Sequence, residues 1–328
     1  MALEKEKHVF DPGMVSQATV TLLQDRKAHQ AESIKTGIEQ LDAVLNPMRP
    51  GELVVVLGFT RNYKSGLMNY IARYHALRMR DTGVSNQAVI TFTWEQSIEE
   101  QGITDIAQLT SLDTGRMMRC QLDDDEWNLL LLGAMRRGTI PWWLVGHSAS
   151  INERRPRLNM SEVAEVLEWI VDFQEVRPML VVLDYLQRIK REKGETMREQ
   201  FISIVDKAKD LALAFHCPVI LGSQAGRTVV NNQSRTWRLP HVDEGQETSN
   251  LEQSADKLIS VWMPKNDHPL GTVLQYADKT YKVTDNLLIV GVMKQKFGPS
   301  PRIMQLEVHP ETNDILPVKT IELNEYAR

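Results

Sequence analysis

Residues Leu53-Val54-Val55-Val56-Leu57 form an unbroken apolar run, and Gly58-Phe59-Thr60-Arg61-Asn62-Tyr63-Lys64-Ser65 follows at once. A continuous apolar run of this length reads as a strand buried on both faces, which requires helices on either side of a sheet. Lys64 to Arg80 reads as a helix. A buried strand, a tight loop and a helix opening at Lys-Ser aim backbone N–H groups and a helix N-terminus at one point, which suits a phosphate. The pattern G-x-x-x-x-G-K-[ST] is met at Gly58, Lys64 and Ser65, with Thr60, Arg61 and Asn62 inside the loop. In such a loop Lys64 reaches the β- and γ-phosphates and Ser65 ligates Mg²⁺. Tyr63 stands where the pattern has its second glycine. Backbone approaches phosphate there, and a side chain costs about 1 kcal/mol or more in strain. The plain alternative is a chance Lys-Ser after a strand.

The rest of the chain continues the rhythm. Further strands are predicted at 88–93, 142–145, 179–183, 218–222, 258–263, 287–293 and 304–308. Helices are predicted near 98–109, 123–135, 160–173 and 197–215. Alternation of this kind implies an α/β fold with a mostly parallel central sheet and helices on both faces. Residues 1–33 are polar, with a short periodic stretch at Val15, Val20, Leu22 and Leu23. They read as one amphipathic arm helix packed on its own domain or on a neighbouring subunit, leaving 34–328 as the α/β domain. Two polar stretches, 152–159 and 227–249, read as loops, and long loops in compact domains are often functional.

Composition narrows the function. A net charge of −5 excludes a uniformly basic protein that coats nucleic acid, while a local basic channel stays open. Cys120 and Cys217 lack metal-type spacing and give no disulfide framework. The first residues, Met-Ala-Leu-Glu-Lys-Glu-Lys-His, lack a signal-peptide core, and no run is long enough to span a membrane, so a cytoplasmic protein is expected.

Four further places carry chemistry. Asp184 ends the run Val181-Val182-Leu183, at the sheet edge where α/β folds bind ligands. It would orient Mg²⁺ and its waters; otherwise it is a cap or turn residue. Glu95 follows Ile90-Thr91-Phe92-Thr93 and suits a general base for an attacking water, or else a cap for the helix near Ile98. Gln224 ends the strand after Ser223 and can sense a γ-phosphate, or is an ordinary loop residue. Lys294 and Lys296 flank Gln295 and point the same way on an extended segment. They can reach a phosphate across a subunit boundary, or form a solvated edge.

Taken in order, these segments resemble the C-terminal motor domain of DnaB-type replicative helicases, in superfamily 4. The resemblance rests on Thr36-Gly37-Ile38-Glu39-Gln40-Leu41-Asp42 with Arg49-Pro50-Gly51-Glu52-Leu53, and on Phe92-Thr93-Trp94-Glu95 and Leu183-Asp184-Tyr185-Leu186-Gln187. It continues through Gly222-Ser223-Gln224-Ala225-Gly226-Arg227, Ser249–Asp256 and Lys294-Gln295-Lys296-Phe297-Gly298-Pro299. It implies a RecA-like P-loop NTPase fold over roughly 34–310 and a hexameric ring with ATP and Mg²⁺ between subunits. It also implies single-stranded DNA in the centre, replication proteins as partners, and no membrane. Residues 228–249 would face DNA, and 1–33 would match the linker helix that packs on the next subunit.

Three departures stand out. Tyr63 replaces the loop glycine. Lys296 stands where the family has a trans-acting arginine, keeping the charge without the planar fork. The family's helical N-terminal domain is absent from this sequence, so primase docking through it is not expected. A minimal motor of a phage or mobile element fits these departures. So does a relative turned into a nucleotide-binding ring scaffold that hydrolyses slowly and recruits partners. A recombinase-type ATPase fits the Asp-Tyr-Leu-Gln and Lys-Gln-Lys segments less well.

Overall fold

The computed structural model describes residues 11–28, 34–151, 158–190, 196–226, 236–241 and 253–317. The predicted loops at 152–159 and 227–249 fall largely outside them, as do Arg227 and the first half of the Ser249–Asp256 segment. The chain divides into two units, Met1–Ile34 and Lys35–Arg328.

The first unit holds helix α1, Pro12–Ala28. The helix forms as expected, but its apolar face does not. Met14, Val15, Val20, Leu22 and Leu23 are all exposed and are spread around the helix. Spacings of one, two and five residues do not keep to the three-to-four-residue period that collects side chains on one stripe.

The second unit is built on one sheet. Helices α2 (Glu39–Asp42), α3 (Lys64–Thr82), α4 (Ile98–Thr110), α5 (Thr114–Met118), α6 (Asp124–Arg137), α7 (Met160–Gln174) and α8 (Met197–Ala214) accompany it. Its strands are β1 (Leu53–Gly58), β2 (Gln87–Thr93), β3 (Trp142–Val145), β4 (Arg177–Asp184), β5 (Val219–Gln224) and β6 (Lys257–Trp262). They are followed by β9 (Leu287–Gln295), β10 (Arg302–His309) and β11 (Asp314–Pro317). Between them, β7 (Val273–Tyr276) and β8 (Lys279–Lys282) make a separate hairpin. The sheet order is β11-β10-β9-β6-β1-β5-β4-β2-β3. From β6 to β3 the strands run parallel, and β9, β10 and β11 add antiparallel pairings at one edge.

Every residue of β1 is buried, because helices cover both faces of the sheet at its centre. One apolar cluster joins β1, β2, β4 and β5 to α7 and α8 through Leu53, Ile90, Leu167, Leu183, Val205 and Leu221. The lead-in to β1 is organised by Asp42, whose carboxylate accepts from Thr36 N and Oγ1 at 2.7 Å and from Gly37 N at 3.0 Å. Gly37 lies at φ 79° with the Tyr74 ring pressed against it, which leaves no space for a side chain.

The longer elements match the sequence pattern. Missing from it were α2, α5, β7, β8 and β11, each only four or five residues long. Elements this short hold too few residues to establish a period. The hairpin depends on tertiary packing: Leu274 and Tyr281 pair across it and face Trp237 and Trp262 in an aromatic cluster. No described helix is long and apolar enough to cross a membrane.

Candidate nucleotide site

Parallel strands bring their C-terminal ends to a common edge, and four of those ends carry the residues singled out from the sequence. Gly58 is level with Gln224 on β5, and Thr93, two residues before Glu95, is level with Asp184 on β4. This is the crevice side of an open α/β sheet.

The loop from Gly58 to Ser65 turns through two left-handed residues, Arg61 and Tyr63, both at φ 63°. Non-glycine residues adopt this conformation at a cost, so something must hold them. Asn62 does part of this. Its side chain is buried, accepts from Met263 N at 2.6 Å and donates to Thr60 O at 3.1 Å. Asn266 adds a bond to Arg61 O at 2.8 Å. The side chain of Asn62 therefore anchors the loop to the segment after β6 and leaves phosphate contact to the loop backbone. Tyr63 turns its ring away from the loop crest, over Gly66, and its hydroxyl donates to Asn313 Oδ1 at 3.1 Å.

Lys64 and Ser65 open α3. Lys64 is buried, donates to Phe59 O at 2.9 Å and lies 5.9 Å from the centre of the Tyr185 ring. Burial lowers its pKa to about 8, against the pull of Asp184 and Glu95. The Ser65 hydroxyl is hydrogen-bonded to the Asp184 carboxylate. Asp184 is only 6% exposed, and its Oδ1 has no partner. Burial raises its pKa to about 6; Ser65 and Lys64 pull it down and Glu95 pushes it up. A buried carboxylate oxygen without a partner, beside a serine hydroxyl, is the hard-oxygen donor set that suits Mg²⁺ and its waters.

Glu95 is exposed at the mouth, and its charge is felt by both Asp184 and Lys64. It does not cap the following helix. Ser97 does, accepting from Glu100 N at 3.2 Å while Glu100 accepts from Ser97 N at 2.8 Å. Glu95 is thus left out of the helix cap. Ser97→Ala is expected to cost about 1 kcal/mol of stability in urea denaturation, whereas Glu95→Ala should leave stability nearly unchanged.

Gln224 reaches the loop directly, its amide donating to Thr60 Oγ1. Its backbone is held from both sides by Gln187, which accepts from Gln224 N at 3.2 Å and donates to its carbonyl at 3.4 Å. This places Gln187 in the site's supporting structure, a role that could have been suspected from its place in Asp-Tyr-Leu-Gln. No sequence pattern pointed to Met263, Asn266 or Asn313.

Lys294 and Lys296 lie elsewhere. Gln295 pairs with Lys257, and Lys257 pairs with Val54 near the start of β1. Val54 lies four residues before Gly58, so the two lysines sit at the opposite edge of the sheet from the phosphate loop, roughly 13 Å away by strand rise. They share one side as expected: Lys294 Nζ donates to Ala255 O at 2.7 Å, and Lys296 Nζ meets Asp256 Oδ1 at 2.7 Å. Lys296 remains 61% exposed. Within one chain, neither serves its own loop.

Comparison with known proteins bears on the fold and the family. The family model for the DnaB-like helicase C-terminal domain matches residues 33–313. The replicative DNA helicase DnaB of Leifsonia xyli subsp. xyli is 24% identical over 69% of this chain and 46% of its own length. The DnaB of Buchnera aphidicola subsp. Schizaphis graminum is 24% identical over 81% of this chain and 51% of its own. The chain thus spans about half the length of the curated relatives it matches. Among solved structures, one ATPase domain superposes with a TM-score of 0.73 at 17% identity, covering 94% of this chain and all of that one. A DnaB-like replicative helicase, solved in a study of its interactions with primase, gives 0.72 at 16% identity, covering 92% of this chain and 68% of that one. Both share the RecA-like P-loop architecture seen here. With a family match over most of the sheet and all four strand ends, the chain belongs to the DnaB-like helicase C-terminal domain family.

Proposed function

We propose that this chain is the motor of a ring-forming DNA helicase or translocase that hydrolyses ATP and moves on single-stranded DNA. The observation that carries this reading is the division of the candidate residues between two opposite sheet edges. Lys64, Ser65, Asp184, Glu95 and Gln224 form one half of a hydrolytic site, and Lys294 and Lys296 wait at the far edge. Only a second copy can bring the halves together, and cyclic stacking of identical subunits does this at every interface. A ring would also cover the exposed apolar stripe of Trp127, Leu131, Leu132 and Met135 on α6.

In this reading residues 1–33 serve as the linker arm and 34–328 as the ATPase domain. The loop backbone of Gly58, Thr60, Arg61, Asn62 and Tyr63 receives the phosphates, and Lys64 neutralises the β- and γ-oxygens. Ser65 and Asp184 would hold Mg²⁺ and its waters, which supplies charge compensation for the leaving phosphates. Glu95 accepts a proton from the attacking water. Gln224, already bonded to Thr60, reports loss of the γ-phosphate to the loop that follows β5. Lys296 supplies positive charge to the neighbour's γ-phosphate, leaving Asp256 when it does so.

ATP turnover measured on size-resolved material, with and without single-stranded DNA, tests the reading. Turnover that depends on Mg²⁺ and rises with DNA is expected. ATP binding without turnover would instead favour the slow scaffold, the reading that Tyr63 and the Lys296–Asp256 pair support. Mixing Lys296→Ala chains with wild type is expected to depress activity more steeply than their proportion. A strictly proportional loss would remove the trans role.

A further inference from the structure

Tyr63 is the residue at which this chain departs most visibly from its family's phosphate loop, and its side chain is anything but idle. It caps α3 in a left-handed conformation, φ 63° and ψ 24°. Its ring occupies the space over Gly66 so closely that a Cβ there would lie 2.5 Å from a ring carbon. Its hydroxyl reaches Asn313 Oδ1 at 3.1 Å. Asn313 is 5% exposed and sits in the turn that joins β10 to β11, itself left-handed at φ 54°. Its carbonyl is held separately by Arg73 Nη2 at 2.9 Å, from three turns further along α3. Two side chains from one helix thus grip one residue, one by its amide and the other by its backbone. Arg73 is buried and faces Asp105, which Arg137 holds at 2.7 Å.

Tyr63 and Asn313 also line, with Ser65, a cavity of about 370 Å³ beside the phosphate loop. Asn313 Nδ2 is buried and has no partner. The hydrogen bond from Tyr63 therefore fixes an amide whose other end is still unsatisfied, next to the serine that opens α3.

We propose that Tyr63 is a positioning residue: through Gly66 and Asn313 it locks the phosphate loop to the β10–β11 turn, so that loop and turn order together. The inference deepens the nucleotide-site reading, on which its second consequence rests. A glycine at this position would relieve the backbone but leave the loop free of the turn. The phenol replaces glycine's permissive backbone with a tertiary brace. Order imposed on the loop by a bound triphosphate passes to the turn, and a loosened turn weakens phosphate binding by the same factor.

Two measurements on Tyr63→Phe and Tyr63→Gly test this. The first is amide hydrogen exchange of the nucleotide-free protein. Tyr63→Phe is expected to speed exchange about fivefold in residues 58–66 and in 313–315 together, the loss of one buried hydrogen bond. Exchange in α7 and α8 should stay unchanged, which separates a local brace from a general loss of stability. Unchanged exchange in either segment overturns the brace whether or not the protein binds ATP. The second measurement is Mg·ATP affinity. Affinity is expected to fall about fivefold in Tyr63→Phe and further in Tyr63→Gly. Tyr63→Gly binding as tightly as wild type, or more tightly, overturns the proposal and makes the tyrosine a tolerated tenant. A wild-type chain that binds no nucleotide while both segments loosen in Tyr63→Phe would sustain the brace and reject the nucleotide reading.

Discussion

Asp184→Asn is expected to stabilise the nucleotide-free protein while abolishing Mg²⁺-dependent nucleotide binding. Both effects come from one carboxylate that is buried, lacks a partner at Oδ1, and has its pKa raised to about 6. In an unfolded chain the same group titrates near 3.9. The folded state holds the proton more tightly, so this group costs nothing below about pH 4. Its cost grows as pH rises from about 4 to about 6 and is complete by about pH 7. Two pKa units correspond to roughly 3 kcal/mol. Asparagine cannot ionise and escapes that cost. Urea denaturation at pH 7.5 should show the variant more stable by up to that amount, and at pH 4 the difference should nearly vanish. Calorimetry with Mg·ATP should show binding lost. A variant that is less stable than wild type at both pH values would mean that the carboxylate is structural.

Glu95→Gln is expected to lower ATP turnover by about 10²–10⁴-fold, the usual contribution of a positioned general base, with nucleotide binding retained. Glu95 is exposed, takes no part in the α4 cap, and lies near enough to Asp184 and Lys64 to perturb both. The amide keeps the shape and removes the proton acceptor. Single-turnover hydrolysis compared with equilibrium nucleotide binding separates the two effects. Turnover within threefold of wild type would transfer the base to another group. Equal loss of binding and turnover would make Glu95 a binding residue.

The candidate site was unevenly legible in the chain. Lys64, Ser65, Asp184, Glu95 and Gln224 each follow a strongly apolar strand, and a parallel sheet forces such strand ends to one edge. Their convergence thus follows from pattern and topology together. Asn62 was legible as a loop residue but not as the tether to Met263, because that partner lies two hundred positions away. The role of Tyr63 was opaque for the same reason. A sequence shows that a side chain stands where glycine is expected, and the penalty is local. The compensation, Gly66 beneath the ring and Asn313 at its tip, comes from the far end of the chain. The apolar residues of α1 suggested one buried face, yet they are spread around the helix and exposed. Helical period alone did not decide what they would meet.

By itself the sequence determined the α/β layering, the order of the long elements and the phosphate loop. These depend on hydrophobic period and local turn chemistry, which short stretches encode. Only the tertiary structure decided the sheet order, the antiparallel edge, and the placing of Lys294 and Lys296 at the far end of β1. It also decided that Asp184 keeps a buried oxygen without a partner and that Tyr63 has somewhere to go. Strand neighbours, desolvation and packing are set by residues far apart in the chain, and no local pattern specifies which distant groups will meet.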